Sequence, residues 1–143
     1  MHVAQILKGK GSTVYSVTPE TSVADAIRTL SKRRVGALLA LRADGNVAGI
    51  VSERDIVHGL AEHGARLLEM RVAELMTRNV VSCAPEDTVE EIMRQMTNRR
   101  IRHLPVTDRG ALAGMVSIGD VVKSRLAELA AESDALRSYI AGA

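Results

Sequence analysis

Two residue pairs at one spacing carry the chemistry this sequence offers: Ser52-x-x-Asp55 and Ser117-x-x-Asp120. Each follows a glycine and two apolar residues, Gly49-Ile50-Val51 and Gly114-Met115-Val116, a run suited to the end of a buried strand. A serine at the N-cap with a carboxylate three residues on satisfies the free N–H groups of a helix start, so one use of each pair is a capping box. Ligand binding is the second use. A helix that begins where a strand ends attracts anions, because its free N–H groups and its dipole both favour negative charge. An acid placed there also accepts both hydroxyls of a ribose, as acidic residues do in dinucleotide sites.

Other arrangements offer less. Gly9-Lys10-Gly11-Ser12-Thr13 has the composition of a phosphate loop but lacks the Walker spacing, and no helix pattern follows it, so it reads as a flexible N-terminal loop. His58 and His63 are five apart on a predicted helix and do not share a face as metal ligands would. Cys83 falls in a predicted buried strand and reads as inert. The sequence offers no Ser/His/Asp set, no paired catalytic carboxylates and no metal cluster. We read no enzyme here, no catalytic cofactor and no metal site.

The elements that position the two pairs are themselves duplicated. Residues 16–42 align with 82–108 at an offset of 66; one residue is then lost in the second copy, and the match resumes at 65 through Gly49-to-Asp55 and Gly114-to-Asp120. In each copy a Ser/Thr-x-x-acid signal, Ser22/Asp25 and Thr88/Glu91, opens an amphipathic helix. Its stripe is Val23, Ala26, Ile27 and Leu30 in the first, and Val89, Ile92, Met93 and Met96 in the second. Arg33-Arg34 and Arg99-Arg100 end these helices, where cations suit the dipole. Two short strands joined by an Asp/Gly turn follow, then a second helix opening at Ser52 or Ser117. Pro19 and Pro85 mark where a strand before the first helix gives way to a turn. Short lead-ins at Val3–Leu7 and Val72–Met76 echo each other. The spacing predicts strand–helix–strand–strand–helix twice, related by a pseudo-two-fold axis. It divides the chain into 1–66, 67–125 and a helical extension at 126–143, whose stripe of Val121, Val122, Leu126, Leu129, Leu136 and Ile140 suits its own domain or a dimer contact.

Composition bounds the partners. The net charge is +2, with no Phe or Trp and two Tyr, which argues against a broad nucleic-acid surface. Arginine dominates the 19 basic residues, and its planar fork suits phosphate. One cysteine permits no internal disulfide, and no run approaches a membrane span or a signal peptide, so a soluble cytoplasmic protein is expected.

The ordered pattern Ser-Val-x-Pro, helix, Ile-Arg-His-Leu-Pro-Val, then Gly-x-x-Ser-x-x-Asp resembles a tandem pair of CBS (cystathionine β-synthase) domains, a Bateman module, over residues 3–125. The resemblance implies an α/β (α+β) fold of tandem β-α-β-β-α repeats packed through their sheets, with two clefts that often bind adenosine nucleotides. It implies that Asp55 and Asp120 hold ribose, with Ser52 and Ser117 beside them, and that Val17, Thr18, Cys83 and Ala84 contact adenine. Ala37, Leu38, Leu104 and Pro105 would wall the base, while Arg102 and His103 reach phosphates. Arg54 would point toward the phosphate of the cleft that uses Asp120. The copies differ here: Gly36-Ala37 stands where the second has Arg102-His103, and Gly119 where the first has Arg54. The Asp120 cleft is therefore expected to bind the more tightly. AMP leads the expected ligands, with ADP, ATP and NAD behind it. S-adenosylmethionine ranks lower, because its sulfonium gives the cations no role. The signal would pass through a homodimer or a separate effector protein. The competing class is a ligand-independent interaction module whose Ser-x-x-Asp pairs are helix caps only.

Overall fold

The computed structural model describes residues 1–142. They form two compact units: one continuous, Val14–Val80, the other joining Met1–Thr13 to the chain from Val81 onward. The sequence repeats therefore do not coincide with the compact units, since each lead-in packs with the other repeat's residues.

In the continuous unit, β1 (Ser16–Val17) pairs parallel with β2 (Ala37–Leu41), which pairs antiparallel with β3 (Val47–Ser52). A Pro19 turn closed by the Thr21 N–H on the Thr18 carbonyl (3.1 Å) leads into α2 (Val23–Arg33). The Ser22 hydroxyl accepts from the Asp25 N–H at 3.1 Å, as its spacing predicts. Asp25 returns no bond to Ser22 and pairs with Arg28 instead, so this cap is only half of a box. Buried Ala26 and Leu30 of α2 meet Leu38, Ala40 and Val51 of the sheet. α3 (Glu53–His63) follows β3 directly, then a 3-10 turn, Gly64–Glu69. The lead-in helix α4 (Val72–Leu75) completes this core with Val72 and Met76. It is held by main-chain bonds from Val72 N–H to Thr21 O (2.8 Å) and between Thr77 and Ile50 (2.8 and 2.9 Å).

The discontinuous unit repeats this plan with α5 (Val89–Arg99), β4 (His103–Asp108), β5 (Ala111–Ser117) and α6 (Ile118–Gly142). Cys83 stands in for a first strand, donating to Pro105 O (3.0 Å) and accepting from Thr107 N–H (2.8 Å). The helix completing this core is α1 (Val3–Lys10), whose Val3 and Ile6 pack with Val89, Ile92, Leu104 and Val116. Val3 and Ala4 donate to Asp87 O (2.9 Å) and Pro85 O (3.0 Å). Gly9-Lys10 is thus the last turn of a helix rather than a flexible loop, and Gly11 ends it at φ 95°. Of the apolar stripe on α6 only Val121 is buried. The predicted extension is helical through Gly142, and Ala143 lies outside the described residues.

Arg34 closes α2 in the left-handed conformation, φ 54° and ψ 46°, where a Cβ is unfavourable. Glycine there removes that penalty. Arg34→Gly is expected to raise the unfolding free energy by about 1 kcal/mol in urea titrations. A loss of stability would mean that the arginine side chain contributes more than its backbone costs.

Candidate functional site

Each Ser-x-x-Asp pair sits where a β-hairpin runs straight into a helix. Ser52 lies across the ladder from Ala37, and Ser117 from His103. The first helical N–H is used at once: Glu53 donates to Gly36 O (3.0 Å) and Ile118 to Arg102 O (2.8 Å). Asp55 Oδ2 then accepts from the Ser52 N–H (2.9 Å) and hydroxyl (3.1 Å), while the Asp55 N–H reaches back to Ser52 Oγ at 3.4 Å. In the second unit Asp120 Oδ2 accepts from the Ser117 N–H (2.9 Å) and hydroxyl (3.0 Å), and its N–H reaches Ser117 Oγ at 3.3 Å. Both pairs are full capping boxes. They are also partly buried, which Asp25 is not.

A further donor holds each acid, and sequence reasoning missed both. Thr77 Oγ1 donates to Asp55 Oδ1 at 3.2 Å, from the segment just after α4. Lys10 Nζ donates to Asp120 Oδ2 at 2.7 Å and to Met115 O at 2.9 Å, from the end of α1. The two acids thus meet a neutral hydroxyl in one unit and an ammonium in the other. Burial pushes the Asp120 carboxyl up, but the Lys10 hydrogen bond and charge, with the Ser117 N–H and hydroxyl, outweigh it and hold the group below its usual value of 3.8. The lysine in Gly9-Lys10-Gly11 was visible in the sequence. Its partner 110 positions away was not.

The other expected residues divide by unit. Val17, Thr18, Ala37, Leu38, Ser52, Arg54 and Asp55 belong to the continuous unit, and Cys83, Ala84, Arg102, His103, Leu104, Pro105, Ser117 and Asp120 to the other. Strand alternation separates the base-wall set. Leu38 and Leu104 point into their cores at 0% exposure and offer a ligand no surface, whereas Ala37 and Pro105, also buried, lie on the opposite faces. The Thr18 N–H already donates to Thr21 Oγ1 (3.1 Å), and the Ala84 N–H to Asp87 Oδ2 (2.8 Å). Arg54 and Arg102 are exposed; His103 is half-buried. Cys83 is buried, and burial, with the nearby Asp87 charge, pushes its thiol up to about 12, so it stays protonated and inert at neutral pH. Two open surface depressions, along α2 and α3 (about 680 Å³) and along α5 (about 600 Å³), contain none of the expected residues. The hydrogen-bonded pairs, not these hollows, mark the candidate sites. Among the described residues no cluster of His, Cys, Asp or Glu could hold a metal, and no helix is long and apolar enough to cross a membrane.

A family model for the CBS domain matches residues 11–62 and again 72–127. The chain belongs to the CBS domain family. The two CBS matches reproduce the duplication read from the sequence. The CBS-domain containing protein ATU1752 from Agrobacterium tumefaciens is 44% identical, with a TM-score of 0.85 over 87% of this chain and 92% of that one. The CBS domain-containing protein CBSX3, mitochondrial, of Arabidopsis thaliana is 32% identical over 98% of this chain and 72% of its own length. The CBS domain pair of protein MJ0100, solved in complex with 5′-methylthioadenosine and S-adenosyl-L-methionine, is 26% identical, with a TM-score of 0.76 over 88% of this chain and 98% of that one.

Proposed function

We propose that this CBS pair is a regulatory, non-catalytic cytoplasmic module that binds adenosine nucleotides, AMP first among them. Asp55 and Asp120 each accept a ribose diol, and the signal passes through a homodimer or a separate effector protein. One observation carries this reading: of the four Ser/Thr-x-x-acid pairs, two are reciprocally bonded boxes at strand–helix junctions, duplicated at equivalent positions with a half-buried acid in each. The adenosine ligands of the MJ0100 pair support the ligand class. Lys10 adds a cation beside Asp120 to the exposed Arg102 of the same unit, which favours a phosphorylated ligand there over a sulfonium.

A thermal-shift and calorimetric panel of AMP, ADP, ATP, NAD and S-adenosylmethionine tests it. At a concentration a hundredfold above its dissociation constant, a bound nucleotide stabilises the fold by about 2.7 kcal/mol. The phosphorylated compounds are expected to give the larger shifts. No shift with any adenosine compound would leave the ligand-independent interaction module, a reading favoured by how fully the two acids are already bonded within the protein.

A further inference from the structure

Among the described residues, the outer half of α6 is covered by no other element. From Leu129 to Gly142 every residue is exposed. A helix of that length without tertiary contacts is marginal in water. Its apolar residues are not scattered. Val122, Leu126, Leu129, Ser133, Leu136 and Ile140 advance by alternating steps of four and three, the repeat of a coiled-coil seam. The five apolar members are 43%, 62%, 44%, 60% and 67% exposed. The three cations of this stretch, Lys123, Arg125 and Arg137, balance Glu128, Glu132 and Asp134, so the helix lacks the basic polar face that a membrane surface selects.

We infer that this seam pairs with the same seam of a second copy of the chain, as a parallel, in-register two-stranded coiled coil. The inference rests on the homodimer part of the reading above and adds its geometry. Charge decides the direction. With Leu126 at an a position, Glu132 falls at g and Arg137 at e, and both are exposed. In the parallel arrangement Glu132 faces the partner's Arg137, twice by symmetry. In the antiparallel arrangement of the same seam, Glu132 faces the partner's Glu132, and Arg137 faces the partner's Lys123. Ser133 sits at an a position, where a polar layer costs stability and fixes register. Parallel pairing sets the two Ser133 residues opposite each other.

Sedimentation equilibrium on the full chain tests the pairing. Wild type is expected to be dimeric, and Leu129→Glu with Leu136→Glu monomeric while remaining folded by circular dichroism. Glu132→Arg alone is expected to raise the dimer dissociation constant about tenfold, since two attractive pairs become two repulsive ones. Adding Arg137→Glu should restore it to within about twofold. Ser133→Cys should form an intermolecular disulfide on mild oxidation, with buried, protonated Cys83 taking no part. A monomeric wild type, a dimer that survives the Leu129/Leu136 change, or tighter association after Glu132→Arg would overturn the inference. None of these readouts depends on nucleotide, so a failure of ligand binding is seen separately.

Discussion

Replacing Asp55 and Asp120 together by asparagine is expected to abolish nucleotide stabilisation, a loss of about 2.7 kcal/mol at a hundredfold excess over the dissociation constant. Asparagine keeps an oxygen to accept the Ser52 and Ser117 N–H groups, so the caps survive. What it loses is the charge and the capacity to accept two hydroxyls at once. The single variants separate the sites. Lys10→Met separates them further, because Lys10 bonds Asp120 whereas Thr77 bonds Asp55. A carboxyl held below its ordinary value in the folded state contributes stability that is present above that ordinary value and lost as pH falls toward the lower, folded one. Wild type is therefore expected to lose this contribution below about pH 4. In Lys10→Met much of it is already missing at neutral pH, so the two proteins converge in acid. Urea titrations from pH 3 to pH 7 read the difference directly. A constant gap across that range would mean that Lys10 acts through packing rather than through Asp120.

Gly49→Ala is expected to destabilise the continuous unit by about 1–3 kcal/mol. A Cβ at Gly49 would stand 2.8 Å from the Thr77 carbonyl and 2.7 Å from Met76 Sδ, and the carbonyl belongs to the main-chain pair that docks the lead-in. The equivalent Gly114 meets only the side chain of Leu7, at 2.7 Å, which can turn aside. Gly114→Ala should therefore cost clearly less. Displacing Thr77 also withdraws the hydroxyl that holds Asp55 Oδ1, so Gly49→Ala is expected to weaken ligand binding at Asp55 and leave Asp120 unchanged. Equal losses at the two glycines would show that the carbonyl approach is not the deciding contact.

Local signals were legible in the sequence. The Ser22 and Thr88 caps, the Asp/Gly hairpins and the Ser-x-x-Asp boxes each depend on residues within four positions, and the structure forms all of them. The first strands were less so. Ser16–Val17 is two residues long and Cys83 makes only a bridge, because each is fixed by a partner strand more than twenty positions away. Which copy each lead-in joins was invisible for the same reason. Val3 and Ile6 present the same small apolar face as Val72 and Met76, and periodicity says that such a face is buried without saying against what. Lys10 and Thr77 escaped notice because they reach the acids through that exchange. The stripe on α6 was legible as a stripe, but only the exposure of Leu126 through Ile140 tells it from a core face.

The exchanged lead-ins have a consequence for the order in which the chain matures. The core cluster of Val14–Val80 lies wholly within that stretch, so its folding is expected to need no residue beyond Val80. Its sister unit holds its first helix some 70 residues ahead of the rest, and bringing α1 back to α5 costs on the order of 4 kcal/mol in loop-closure entropy if the intervening chain is unfolded. A cut between residues 66 and 67 would leave neither fragment with a whole core, since Val72 and Met76 would be parted from Leu38 and Val51, and Val3 and Ile6 from Val89 and Leu104.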